Sequence, residues 1–245
     1  MKTTVADFKI KSIREDKLIN KVEFSRWRIL YKTGAIASLL MVVFIPIQIY
    51  IFLAYPPPVT VEGFFLLFQE NKIIGLLEYD FLIIIDMILM IFIYLALYMA
   101  LLKKNEPVMT IGLTLGLVGI AAFVASNTSL EMLSLSKQYA TVNTNEQKTI
   151  LLAAGQAIFE IYNGTAFAIY YVFSAIAILL FTYVMFRSSI FSKGNAYVGL
   201  LAGIFMLVPP TPVVGKTGVI FSVLSLVPWT VWLILIARRL LKLSV

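Results

Sequence analysis

The chain has 245 residues, 60% of them hydrophobic and 13% charged, with a mean hydropathy of +0.93. Soluble domains average roughly 45–50% apolar and about 25% charged, so a water-soluble globule is excluded and lipid must cover the long apolar runs. The net charge is +7, and both Cys and His are absent, which excludes disulfides, thiolate chemistry, a His general base, a Ser-His triad and the usual zinc and haem ligation.

Residues 1–33 carry nine Lys/Arg opposed only by Asp7, Glu15, Asp16 and Glu23. Ile10, Ile13 and Leu18 make this segment weakly amphipathic, as expected of a basic cytoplasmic arm or a helix lying on an anionic leaflet. Its length and polarity do not fit a cleavable signal peptide, so the first apolar run reads as an uncleaved signal-anchor. Trp27 and Tyr31 fall where an aromatic belt would begin.

The first span is expected at 34–55. Pro46 lies inside it, tolerable where neighbouring helices re-satisfy the backbone, and Pro56-Pro57-Pro58 ends it. Residues 61–72 place Phe64, Phe65 and Phe68 against Glu62, Gln69, Glu70 and Lys72, the pattern of a short interfacial helix. The second span, 78–102, closes on Lys103 and Lys104. A loop of a few residues then makes spans two and three an antiparallel hairpin. The third span, 108–126, carries Gly112 and Gly116, a small-xxx-small pair.

Residues 127–148 are polar, yet Asn127, Glu131, Ser134 and Gln138 keep helical spacing. From Thr149 a helix is expected to run unbroken to about Arg187. That is about 58 Å at 1.5 Å per residue, against a hydrocarbon core of about 30 Å. Spans three and four (160–187) therefore project outward as a helical hairpin, about 127–159, turning at Thr141–Asn145. The fifth span, 196–208, is short, and VPPTPVVGKTG joins it to the sixth, 219–237.

Threading six spans back and forth sorts the 20 Lys/Arg into 16 on one side and four (Lys72, Lys137, Lys148, Lys216) on the other. By the positive-inside rule both termini are cytoplasmic. Because the basic residues sit at span ends, nucleic acid is not the partner; the bilayer is. The fold class is an all-α polytopic membrane protein: an arm at 1–33 and a six-helix membrane domain at 34–245.

Asp86, about two turns into span two among Ile83, Ile84, Ile85 and Met87, is the clearest candidate for chemistry. A charge at a helix centre costs roughly 2.5–3.5 kcal/mol on insertion scales and marks a functional site by default; the alternative is a structural cap or polar cluster. A second candidate is the stripe Gln156, Glu160, Asn163, continued by Tyr170 or Tyr171 and Ser174. It could face Asn127 and Glu131, with Asp80 and Glu78 at similar depth, to line an acidic cavity that attracts cations. The alternative is a hairpin that is polar because water surrounds it. Asn127-Thr-Ser and Asn163-Gly-Thr match the glycosylation sequon, which arises easily by chance. Tyr79-Asp80 lacks the Gly-x-Gly-Asp partner of an intramembrane aspartyl protease. No phosphate loop occurs, and no metal site or cofactor is expected.

Three stretches, SNTSLEMLSLSKQYA with LLAAGQAIFEIYNGT, VEGFFLLFQENKIIGLLEYD and the ending WLILIARRLLKL, are similar to the DUF4386 family. That family comprises prokaryotic multi-pass membrane proteins without an assigned activity. The resemblance covers about 60–245 and implies a prokaryotic cytoplasmic (inner) membrane, with no catalytic or binding residues to carry over. The functional expectation is a non-enzymatic protein whose outward-facing polar pocket, built from Asp80, Asp86, Asn127, Glu131, Glu160 and Asn163, binds or passes a small cationic or amphiphilic ligand. The alternatives are an accessory subunit contacting other membrane subunits and a carboxylate-based enzyme acting on lipid.

Overall fold

The computed structural model describes residues 25–245; most of the basic arm, with its expected interfacial helix, lies outside the described residues. The described chain is all-α, without a strand. Its helices are α1 (Arg28–Ala54), α2 (Val61–Glu70), α3 (Lys72–Glu78), α4 (Phe81–Leu101), α5 (Glu106–Ser126), α6 (Ser129–Thr141), α7 (Asn145–Tyr162), α8 (Thr165–Phe186), α9 (Lys193–Met206) and α10 (Lys216–Leu243), with a 3-10 turn over Leu102–Lys104. Five stretches are long and apolar enough to cross a bilayer: Arg28–Ala54, Phe81–Lys104, Glu106–Thr141, Asn145–Phe186 and Lys216–Leu243. At 14 residues α9 is shorter than these; it rises about 21 Å.

Six helices close a ring. In order of contact they are α1, α4, α5, α8, α9 and α10, and α10 returns to α1. The ring's core includes Tyr94, Phe181, Ile178, Met185, Trp232 and Leu233. Close approach at α5 depends on its glycines: a Cβ on Gly116 would stand 2.5 Å from the Tyr94 ring. Tyr94 in turn meets Phe181 edge-on at 5.4 Å, an arrangement favoured by the ring quadrupoles. Tyr31 belongs to this core, only 1% exposed. It is not a belt residue, because its register on α1 turns it inward.

The remaining helices, α2, α3, α6 and α7, form a cap over one end of the ring with a core of its own. Val61, Phe64, Phe65, Phe68, Tyr79 and Met132 are buried there together. Short polar side chains start its helices: Thr60 Oγ1 accepts from the Gly63 amide, Asn71 Oδ1 from Ile73 and Ile74, and Thr144 Oγ1 from Gln147. Such caps satisfy amides that have no partner within the helix. The short helix expected at 61–72 is α2; Asn71 ends it and caps a further helix, α3, before the second span. Ser136 Oγ donates to the Phe65 carbonyl at 2.7 Å and ties α6 to α2.

The expectation of an uninterrupted helix from Thr149 to Arg187 is corrected. The chain bends at Asn163-Gly164, between α7 and α8. A Cβ at Gly164 would lie 2.7 Å from the Glu160 carbonyl oxygen, so only glycine makes this junction. Span three is interrupted likewise. Asn127 Oδ1 accepts from the Ser129 amide at 3.2 Å, ending α5 and seating α6. The second span is shorter than expected, since Tyr79 and Asp80 form the turn before α4.

Candidate polar cavity in the helix ring

Several polar side chains sit five or six residues inside one end of their helices: Gln48 on α1, Asp86 on α4, Tyr171 on α8 and Ser222 on α10. At 1.5 Å per residue that is one common depth, about 7–9 Å below the capped end. They surround a cavity of about 120 Å³ inside the ring, to which every ring helix contributes. Met41, Met87, Met90 and Met206 supply soft apolar wall, and Tyr170, Trp229 and Ser225 complete its polar side. Met adapts to irregular space and to varied occupants.

Asp86 is 6% exposed. Its Oδ2 accepts from Gln48 Nε2 at 3.0 Å. Its Oδ1 is buried with no hydrogen-bond partner among the described residues. An unpaired buried oxygen on a carboxylate is costly, and each such case calls for an explanation. Across the cavity the Tyr171 hydroxyl and Ser222 Oγ lie 3.2 Å apart, and Ser225 Oγ donates to the Ser222 carbonyl at 2.6 Å. Among the described residues no Lys or Arg lines the cavity, so none of them gives the carboxylate a counter-charge there.

A second polar cluster marks the seam between ring and cap. Asp80 adopts a left-handed conformation at φ 58°, uncommon for a residue with a side chain. Its carboxylate accepts from the Tyr162 hydroxyl. Asn127 Nδ2 donates to the Tyr79 carbonyl at 3.1 Å and to the Asp80 carbonyl at 3.4 Å, holding the turn. Tyr79 and Thr128 share a hydrogen bond of 3.2 Å, and the Tyr79 and Tyr162 rings meet tilted by 35° at 4.4 Å between centroids. Beside this turn Glu78 is 3% exposed, and neither of its carboxylate oxygens has a partner among the described residues. Burial, aided by the nearby Asp80 charge, pushes the Glu78 carboxyl up to about 7. Burial raises Asp80 to about 6, against the opposing effect of the Tyr162 hydrogen bond.

The six residues singled out from the sequence thus do not share one pocket. Asp86 lines the ring cavity. Asp80 and Asn127 meet at the seam. Asn163 donates to the Phe159 carbonyl at 3.2 Å and ends α7. Glu160 is exposed and accepts from Gln156 Nε2 one turn back, and Glu131 is exposed on α6. The break at Asn163-Gly164 explains the divergence: α7 and α8 do not continue one stripe. Tyr170, Tyr171 and Ser174, read as the stripe's extension, do line the cavity. Sequence reasoning missed Gln48, whose signal is an amide inside an otherwise apolar run, and Ser222 and Ser225 on α10.

A family model for a domain of unknown function, DUF4386, matches residues 76–237, more than half of the chain. The chain therefore belongs to the DUF4386 family. No curated protein and no solved structure matches it. The matched region carries Asp86 and the cavity walls from α4 to α10, while Met41, Ile45 and Gln48 of α1 precede it.

Proposed function

We propose that this DUF4386 member is a six-span protein of a prokaryotic cytoplasmic membrane that holds a small cation, such as a primary amine, against Asp86. The observation that carries the reading is the buried Asp86 Oδ1, which has neither a hydrogen-bond partner nor a cavity-lining counter-charge among the described residues. Intramembrane carboxylates are rare and mark ligand or ion pathways. A cation there would supply the missing partner through a charge-assisted hydrogen bond, with aromatic faces at Tyr170, Tyr171 and Trp229 adding cation–π attraction. Size sharpens the ligand class. A cavity near 150 Å³ takes a benzene-sized molecule, whereas drug-sized ligands need about 300–1,000 Å³. The 120 Å³ here suits an ammonium with a few carbons and not a lipid-sized amphiphile.

The six-span reading rests on α9. It packs between α8 and α10 and completes the ring. With six crossings, the basic residues at 103–104, 187, 193 and 238–242 share one face with the N-terminal arm, which the positive-inside rule makes cytoplasmic. The cap then faces outward. Exposed Leu130 and Ile150 on the α6–α7 hairpin favour a second reading, contact with another membrane subunit; purification under native conditions as a lone chain would count against it.

The test uses Trp229 as a reporter, since it lines the cavity. The full chain in detergent is titrated with alkylammonium ions from methyl- to hexylammonium while tryptophan fluorescence is followed. Saturable binding of the shorter ions is expected, weakened about tenfold or more in Asp86→Asn, the loss of one charge-assisted contact. Equal responses from wild type and Asp86→Asn would refute the assignment.

A further inference from the structure

At the end of the ring opposite the cap lies a second pocket, of about 330 Å³, with the opposite chemistry. It is lined by Ser189, Ser192 and Asn195 where α8 hands over to α9, and by Leu235, Arg238, Arg239 and Lys242 on α10. The four α10 positions follow i, i+3, i+4, i+7, so one helix face presents all three cations. Among the described residues none that lines it is acidic.

Two observations separate this from ordinary basic residues at a helix end. Asn195 is 5% exposed, and its Nδ2 has no partner among the described residues. Its Oδ1 accepts from the Ser192 hydroxyl, and its backbone N–H donates to Ser192 Oγ, so the side chain is fixed with its Nδ2 donor end unused. Arg239 Nε is likewise buried without a partner among the described residues. Unused donors at such depth have the complement of an anion. The neighbouring cations are engaged elsewhere: Lys193 Nζ donates to the Phe186 carbonyl, and the Arg187 guanidinium stacks on Tyr183 at 4.6 Å. The α9 N-terminus, capped by Ser192, adds the positive end of its dipole.

We propose that this pocket binds a phosphate-bearing anion, with Arg238, Arg239 and Lys242 pairing its charge and Asn195 donating to one of its oxygens. The chemistry is shared by an anionic phospholipid headgroup and a free phosphate. Basic pockets between membrane helices are typical headgroup sites.

The experiment is native mass spectrometry of the full chain in a mild detergent, with three probes: phosphatidylglycerol, phosphatidylcholine and inorganic phosphate. Wild type should retain phosphatidylglycerol in preference to phosphatidylcholine, or bind inorganic phosphate. The first outcome assigns a lipid headgroup as the source, the second a free phosphate. The pair Arg238→Gln with Arg239→Gln should lower that binding about tenfold or more, and the near-isosteric Asn195→Asp should lower it in the same direction. Lys242→Gln is exposed, so its fold is safe, and it should cost about threefold. Lys103→Gln with Lys104→Gln removes two charges at the same end of the ring and should change binding less than about twofold. The proposal is overturned if this control pair weakens binding as much as the pocket pair does, or if neither probe shows a preference that the pocket variants remove.

Discussion

In the cap, Phe64, Phe65, Phe68 and Tyr79 close around one another, and the carboxylates Glu62, Glu131 and Glu160 stand on the outside. In the ring, helices whose outer faces are apolar turn Asp86, Gln48, Tyr171 and Ser222 inward onto a void. The cap is arranged as a water-soluble domain would be. The ring has lipid outside, so its polar groups have only one another or a ligand to satisfy them. An acidic residue therefore sits differently in the two regions: Glu62, Glu131 and Glu160 lie on the cap's surface, whereas Asp86 is buried inside the ring, where the proposed function makes it the binding group.

The largest effect should come from breaking the cap. Phe65 is fully buried between α2, α6 and α7, next to Gly155 and Tyr139. Phe65→Ala should cost about 3–5 kcal/mol through lost burial and the cavity left behind. Hydrogen exchange by mass spectrometry should show protection lost across α2, α6 and α7 and kept in α4 and α8. Loss of protection in both regions together would show one cooperative unit and dissolve the distinction.

Asp86→Leu probes the ring from the other side. Removing a buried carboxylate with an unpaired oxygen should leave thermal stability unchanged or raise it, by about 1–3 kcal/mol, while amine binding disappears. A marked fall in stability would make Asp86 a structural group paired with Gln48, and the site reading would fail.

The seam supplies a pH dependence. The Glu78 carboxyl lies at about 7 in the folded protein against 4.5 unperturbed. Between those values the folded chain holds a proton that the unfolded chain has released, so stability is full below pH 4.5 and falls as pH rises toward 7. Asp80, raised from 3.8 to about 6, acts in the same direction over a lower window. After allowance for solvent screening at the cap, Glu78 should account for about 1–2 kcal/mol. Melting in detergent from pH 4 to 8 should show the decline, and Glu78→Gln should flatten its upper part. A melting temperature that rises across this range would contradict the burial of Glu78.

Apolar runs and their charged ends make the all-α membrane class and the ring helices legible in the sequence, because hydropathy reports what must leave water. Asp86 is legible for the same reason, as a charge within such a run. The order of helices around the ring is not, since hydropathy says that a helix is covered and not which neighbour covers it. The breaks at Asn127 and Asn163 are hidden because each asparagine also fits a polar helical face. Whether it caps or continues a helix depends on which amides are free nearby, as Ser129's is to Asn127. Gln48 is hidden because its meaning comes from Asp86, 38 residues away.

The smallest expected effect tests the comparison most directly. Glu131 and Glu160 share helical spacing with residues that do line the cavity, and periodicity alone cannot separate them. The α7–α8 bend rotates Glu160 out of that register, where it accepts a hydrogen bond from Gln156 on the same helix. An exposed i, i+4 contact of this kind is worth a few tenths of a kcal/mol. Glu160→Gln and Glu131→Gln, singly or together, should therefore shift stability by less than about 0.5 kcal/mol and leave alkylammonium binding as in the wild type. Weakened amine binding in either variant would mean that the cap's acidic surface recruits the ligand before Asp86 holds it. Long-range attraction of that kind is screened by salt, so the weakening would then have to vanish at high ionic strength. Persistence at high salt would instead place the exposed carboxylates in the site itself and end the division of roles between cap and ring.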